Sequence, residues 1–396
     1  MQMKNTKILY IVTLASFLGP FTQTIYAPLL PELTSIFETT QLLANISISI
    51  FTFTLAFMQM VYGPISDLKG RRKVLLFGIF IYLLGSLGCS ISSSIYLFLL
   101  FRAVQAIGIA SGSVAATAVI GDLFQGRERF RAMGTFQMLM ALGPVLGPVA
   151  GGFLAGMFHL HLIFLFLSFT GLLIFIANYF FLPETKSQEH KNNKFKLKYF
   201  SLVFQNPVGM AVVLLGFIQY YSFYNYLIFM PEILTSRYSL SMEQKGLLFL
   251  PLSLSILIGS YFGGRLQERF KAEKCLIFTS LFNVLGIVLF IFFAKVSLIL
   301  LILSSVLFGL FLGLSLPVQT TLLTSAFVMN RATAIGVYNF FRYMGMALGP
   351  ILGSILFKLG DIYLLFSITA CTFFGIVLFV RAKLLKNVHL SNSFDV

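Results

Sequence analysis

Twelve apolar segments, each about long enough to cross a bilayer as a helix, divide this 396-residue chain. They run over 8–30, 43–64, 74–93, 96–120, 132–155 and 160–182, then, after a polar interruption, over 207–230, 244–263, 275–294, 297–322, 333–357 and 361–381. Hydrocarbon offers no partner to backbone N–H and C=O groups, so a crossing segment must satisfy its own, and about 20 residues of helix do so across a core of roughly 30 Å. The pattern therefore predicts an all-α membrane protein of twelve transmembrane helices in two six-helix bundles. Only 10% of the residues are charged, and the mean hydropathy is +0.92. A soluble domain carries about 25% charged residues, so no large water-facing domain fits beside the spans.

The net charge of +15 does not mark a nucleic-acid surface, because the bases lie between apolar runs and not along one polar face. They read as orientation signals. With alternating spans, 22 of the 28 Lys and Arg fall at one set of span ends and four at the other, leaving Arg102 and Arg342 inside spans. The basic set is expected on the cytoplasmic side, with both ends of the chain, in a plasma or inner membrane of bacterial type. The N-terminal MQMKNTK resembles the start of a signal peptide, but the apolar run after it is long and holds Pro20 and Pro28, which favours a retained first span. The expected division is a first bundle over 1–182, a basic linker over 183–206, and a second bundle with a short tail over 207–396. The linker could meet anionic lipid; its plainer role is a solvated connection that helps hold topology. Cys89, Cys275 and Cys371 have no spacing that suggests a disulfide framework or a metal site.

The halves repeat. Arg129, Ala132, Gly134, Leu146, Gly147, Pro148 and Gly151 recur 202 residues later as Arg331, Ala334, Gly336, Leu348, Gly349, Pro350 and Gly353. Gly63 and Asp67 recur loosely as Gly264 and Glu268. Duplicated six-span units in secondary transporters place a pathway between the halves.

The loop after span two reads GPISDLKGRRK, from Gly63 to Lys73. A tight reversal there asks for permissive backbone at Gly63 and Gly70, an acid at Asp67 that accepts hydrogen bonds from a helix N-terminus, and bases Arg71, Arg72 and Lys73 at an anionic face. Here the chain resembles the major facilitator superfamily, whose signature in this loop is G-x-x-x-D-x-x-G-R-R/K; the resemblance extends over the whole chain. It implies that Asp67 and Arg71 join Asp122, at the inner end of span four, in a network that latches the outward-open state. Leu68 stands where many relatives carry Arg.

Span four holds Arg102 and Gln105 in FRAVQAIGIASG. A charge here is costly in hydrocarbon, and Arg102 is about six residues from the outer end, within snorkelling reach. An interface anchor is one reading. The other follows from R-x-x-Q-x-x-G, which resembles the family's span-four motif associated with coupling in proton-driven members. In span five, ALGPVLGPVAGG places Gly143, Gly147 and Gly151 on one smooth helix face, with Pro148 favouring a bend and Gly152 beside it. In full this resembles the motif of the superfamily's exporters.

Span one, GPFTQTIYAPLLPEL, resembles the multidrug exporters of the twelve-span drug:proton antiporter branch, including the bicyclomycin-resistance type. Many relatives carry Asp where this chain has Thr24. Of the thirteen acids none lies well inside a span; Glu32 sits at the outer end of span one and Asp122 at the inner end of span four. If protons drive transport, one of these two is the relay; each is otherwise an ordinary interfacial acid. Arg342 lies near mid-membrane in span eleven and has Met140 as its repeat counterpart. It either packs against helix carbonyls at a seam or lines a cavity that attracts carboxylates or phenolates. Tyr220, Tyr221, Tyr224 and Tyr226 cover more than one face of span seven, so some are expected to meet lipid or the interface while others line a cavity. Gln23, Thr24, Tyr26, Gln319 and Thr320 are further cavity candidates, because the family builds its pathway from spans one, four, seven and ten.

The sequence has no G-x-x-x-x-G-K-[ST] loop, so an ATP-driven pump would need a separate subunit, of which there is no sign, and no catalytic or metal constellation lies at membrane depth. The expected function is a cofactor-free secondary exporter, not an enzyme, that exchanges a small amphipathic drug or metabolite for protons by alternating access. The alternatives are an exporter of an anionic carboxylate metabolite such as a siderophore, and a non-transporting membrane receptor of the same fold.

Overall fold

A computed structural model describes residues 2–157, 159–186, 198–327 and 331–392. Its helices are α1 (Gln2–Thr24), α2 (Leu30–Ile36), α3 (Gln41–Lys69), α4 (Arg71–Ser90), α5 (Ile95–Leu123), α6 (Gly126–Met157), α7 (Leu160–Phe181), α8 (Lys198–Gln205), α9 (Pro207–Ser236), α10 (Met242–Arg269), α11 (Ala272–Phe293), α12 (Leu298–Ala326) and α13 (Arg331–Asn392). Among the described residues eleven helical stretches are long and apolar enough to cross a membrane. The last, Ala334–Leu384, leaves helical geometry at Gly360 and Asp361 and so holds two spans. That makes twelve, as the hydropathy predicts. Span one is not a single rod: after Thr24 the chain makes a 3-10 turn, Ala27–Leu29, and Pro28 sits in that turn with no amide N–H to donate.

Two compact units are present, Met1–Phe195 with Leu240–Leu247, and Lys196–Ser239 with Leu248–Val396. The start of α10 thus groups with the first unit, where sequence order places it in the second half. Of the expected linker, 183–186 and α8 are described; residues 187–197 lie outside the described residues, as do the side chains of Arg129, Glu268 and Arg331 from the repeat.

In the first unit α4 packs on α5 and α7, α3 on α5, and α1 on α5 and α6. Lipid tails are as apolar as leucine, so close packing, not apolar burial, holds such helices together. The α1–α6 seam illustrates it. A Cβ on Gly143 would lie 2.8 Å from the Pro20 ring, one on Gly147 would strike Thr24 Oγ1, and one on Gly151 would strike the Ile25 carbonyl oxygen. Gly152 faces elsewhere, with its Cβ position 2.7 Å from the Gly246 Cα in the first turns of α10. Since the Ile25 carbonyl is backbone and cannot swing aside, Gly151→Val should destabilise the purified protein by about 1–3 kcal/mol or more. Gly134→Val, whose Cβ position has no atom within 4 Å, should leave the melting temperature in detergent unchanged. Equal shifts for both would show that the seam is not tight.

In the second unit α9 packs on α13, and α11 on α12 and α13. Asn206 caps α9, its Oδ1 accepting from Val208 N at 2.9 Å and Gly209 N at 3.1 Å, and Pro207 opens the helix where no N–H is needed. The repeat reappears here as packing, because Gly345 and Gly353 face α9 as Gly143 and Gly151 face α1. Helix α9 is enclosed nearly all round: Tyr221, Tyr224 and Tyr226 are buried and Tyr220 is half-buried. Tyr221, Tyr224 and Tyr226 thus present no outward face, and of the four only Tyr220 keeps an exposed part. Tyr226 belongs to the unit's aromatic core, 4.1 Å from the Phe308 ring, with its hydroxyl on the Gly286 carbonyl at 3.3 Å.

Candidate functional site

At the basic end of the first unit, α3 runs to Lys69 and α4 begins at Arg71, so the whole reversal falls on Gly70, at φ 99°. Gly63, expected to share that turn, is ordinary helix inside α3 with open space at its Cβ position. Arg71 Nη1 binds Asp67 Oδ1 at 2.6 Å and Arg71 Nε binds Asp122 Oδ2 at 3.2 Å. Three further residues complete the cluster. Glu184 Oε1 accepts from Arg71 N at 2.8 Å, Thr185 Oγ1 donates to Asp122 Oδ2 at 3.1 Å, and Lys186 Nζ donates to the Leu68 carbonyl at 2.8 Å. Residue 68 thus contributes its backbone while its leucine side chain stays exposed. Arg72 Nη2 donates to the Tyr179 carbonyl at 2.6 Å and its guanidinium lies 5.5 Å from that residue's ring. The sequence reading missed Glu184, whose signal was an acid two positions after the end of span six, behind Pro183.

Arg102 does not snorkel. It is wholly buried, with its Cζ 4.7 Å from the Tyr26 ring, 4.1 Å from Phe51 and 5.8 Å from Phe164. These rings come from the turn after α1, from α3 and from α7, so three neighbouring elements close over a charge that its own helix leaves a short reach from the outer end. Arg102 Nη1 donates to Gln105 Oε1, Gln105 Nε2 donates to Ser86 Oγ at 2.8 Å, and the Tyr26 hydroxyl pairs with Ser47 Oγ at 2.9 Å. Desolvated cation–π contacts are worth about 2 kcal/mol or more, and a hydrogen bond to a charged group about 1.5–3 kcal/mol. Together they offset the cost of holding the charge there.

The neighbouring candidates are tied into the same unit. Gln23 Nε2 donates to Thr52 Oγ1 at 2.5 Å. Thr24 Oγ1 donates to the Pro20 carbonyl at 3.0 Å and approaches the Gly143 carbonyl at 3.4 Å, so it serves the α1–α6 seam. Glu32 Oε1 pairs with Lys245 Nζ at 2.8 Å, and Lys245 is almost fully buried; a base at the start of span eight is all that marks this partner in the sequence.

In the second unit the Arg342 guanidinium lies 4.3 Å from the Tyr220 ring and 5.6 Å from Tyr338. A buried polar chain runs beside it. Tyr338 donates to Gln319 Oε1 at 2.7 Å, Gln319 Nε2 to Gln219 Oε1 at 2.6 Å, and Gln219 Nε2 to Ser315 Oγ at 2.8 Å. Of these only Gln319 was a sequence candidate. Thr320 is exposed and bonds within its own helix to the Leu316 and Pro317 carbonyls, while Tyr221 and Tyr224 pack against Phe217 and Phe223. Among the described residues no group of His, Cys, Asp or Glu is placed to hold a metal ion.

The family profile described as Major Facilitator Superfamily matches residues 12–222 and 212–393. An uncharacterized transporter of Rickettsia bellii is 30% identical over 68% of this chain and 67% of that protein. A bicyclomycin resistance protein homolog of Haemophilus influenzae is 29% identical over 48% of this chain and 48% of that protein. Citrate exporter 1 of Aspergillus niger is 29% identical over 49% of this chain and 37% of that protein. A crystal structure of a D-xylose-proton symporter superposes with a TM-score of 0.79 over 95% of this chain and 97% of that one, at 16% identity, a likeness of fold alone. Twelve spans in two repeated halves, the Asp67–Arg71–Asp122 cluster and a profile match across nearly the whole chain agree: this protein belongs to the major facilitator superfamily and is a membrane transporter of that fold.

Proposed function

We propose that the protein is a secondary exporter that moves small amphipathic drugs or metabolites out of the cell in exchange for protons, alternating between inward-open and outward-open states. The observation that carries this reading is Arg102, a permanent charge sealed among Tyr26, Phe51 and Phe164 with Gln105 as its hydrogen-bond acceptor. An arginine kept at such cost inside a span is a functional group by default, and its spacing to Gln105 matches the motif of proton-driven relatives. The export direction is supported by the Gly143–Gly151 seam, and by relatives whose names include a bicyclomycin resistance protein homolog and a citrate exporter. Glu32 and Asp122 are the proposed proton carriers, each beside a base, Lys245 and Arg71, that a proton would release. In this reading the GPISDLKGRRK loop faces the cytoplasm of a bacterial cell, and each proton entering contributes about 2.3 kcal/mol per 100 mV toward resetting the carrier.

The test is proton movement in proteoliposomes holding a pH-sensitive dye, on addition of lipophilic cations, neutral antibiotics or aromatic carboxylates. A pH change that follows substrate and scales with its concentration is the expected result. Substrate accumulation without any pH change would remove proton coupling from the proposal.

A further inference from the structure

The two arginines inside the spans differ in access, and the difference points to what this carrier binds. Arg102 is enclosed by three rings, donates to Gln105 Oε1 and weakly to the Ser47 carbonyl at 3.5 Å, and although its Nη2 has no partner, the residue is wholly buried and out of reach of anything arriving from outside. Arg342 is only partly buried, rests against two rings, and takes part in no ion pair among the described residues. Its Nε is buried without a hydrogen-bond partner. Guanidinium stays charged at any physiological pH, and a half-buried cation with an orphaned donor is satisfied by an anion that arrives from outside. The edge formed by Nε and a terminal nitrogen is the one that grips a carboxylate with two parallel hydrogen bonds. The Tyr220 ring lies 4.3 Å from the guanidinium carbon and Gln319 holds the Tyr338 hydroxyl, so the groups around the fork are in place before anything binds.

Resting on the export reading above, we propose that Arg342, Tyr220 and Tyr338 form a substrate subsite for organic anions: a carboxylate on a flat apolar body, the carboxylate on the Arg342 fork and the body against the tyrosine rings. The repeat adds an argument. Gly345, Gly349 and Gly353 on the same helix are duplicates of Gly143, Gly147 and Gly151, but Arg342 takes the place of Met140, so the fold does not require a charge at this position. The packing is duplicated and the charge is not.

Retention of radiolabelled salicylate and 1-naphthoate by the purified full-length protein, measured by equilibrium dialysis without any gradient, tests the subsite. Their neutral amides and tetraphenylphosphonium serve as comparisons. The expected result is that a carboxylate binds saturably and about tenfold or more tighter than its amide, the difference that a charge-assisted fork makes. Arg342→Gln should erase that preference without altering amide binding. Arg342→Lys should keep part of it, and Tyr220→Phe, which preserves the ring, should keep nearly all. Carboxylate binding equal to that of the amide, unchanged in Arg342→Gln, or absent would overturn the proposal. Export is judged separately by the vesicle assay: tetraphenylphosphonium that drives protons while no carboxylate binds would leave export standing and remove the subsite. Carboxylates that bind through Arg342 but move no protons would do the reverse to coupling.

Discussion

Replacing Arg102 with alanine should abolish substrate-driven proton movement while leaving a protein that inserts and folds. The loss expected in the initial rate is about 100-fold or more, the equivalent of roughly 2.7 kcal/mol, within what three cation–π contacts and one charge-assisted hydrogen bond supply. Stability should change less than activity. The alanine variant loses those contacts and opens space among Tyr26, Phe51 and Phe164, but it also sheds the desolvation of a full charge, and the two partly cancel. Arg102→Lys separates charge from geometry. It restores a cation to α5, but a lysine has no planar fork to stack on Phe51 while donating to Gln105, so partial activity is expected, about tenfold below wild type. Wild-type proton movement in Arg102→Ala would make this residue a packing element and leave the coupling to be sought at Glu32 and Asp122.

What the sequence made legible here was whatever the bilayer enforces locally. Twelve spans could be read because each helix must satisfy its own backbone, and the Gly143–Gly151 face because four-residue spacing fixes one side of a helix. Asp67 and Arg71 are one turn apart and read as a pair. Glu184 meets Arg71 across 113 positions and Lys245 meets Glu32 across 213, separations over which hydropathy carries no pairing information. Arg102 shows the same limit. Its distance from the span end suggested an escape to the interface, but the rings that enclose it belong to other segments. The tyrosines of α9 cover several faces, which in a helix with one open side would put some against lipid; most of α9 is buried in the folded chain, and that burial depends on segments its own sequence does not reveal. Gly63 was assigned to the turn because the motif contains it, although a single residue of positive φ at Gly70 suffices to reverse the chain.

The repeat is where sequence and structure part in a useful way. Matching glycines give matching seams, α6 on α1 and α13 on α9, so duplication accounts for the scaffold. Among the described residues the buried charges differ between the halves. The first unit holds Arg102, Arg71 and the acids that meet Arg71, and the second holds Arg342 beside the Gln219–Gln319–Tyr338 chain. A carrier whose halves differ in this way can assign proton handling to one and substrate recognition to the other, which is the division the proposals above require.

Arg71→Ala should be the most destabilising single change at the basic end, far beyond Asp67→Asn, although each removes the same 2.6 Å contact. The partners differ in burial: the Asp67 side chain is 57% exposed and that of Asp122 only 9%. Water already solvates Asp67, so its pair with Arg71 contributes about 0.3–0.5 kcal/mol, as exposed pairs one helical turn apart do. Without Arg71, Asp122 would keep, among the described residues, only the Thr185 hydroxyl, and a buried carboxylate stripped of its cation costs about 3–5 kcal/mol. In detergent, Arg71→Ala should lower the melting temperature by several degrees while Asp67→Asn stays close to wild type. Adding Asp122→Asn to Arg71→Ala should recover much of the loss, because the amide removes the stranded charge and can still bond Thr185. If the double variant melts no higher than Arg71→Ala, the cost lies elsewhere, in the start of α4 that Arg71 and Glu184 share, and the network is a helix cap more than an ion pair.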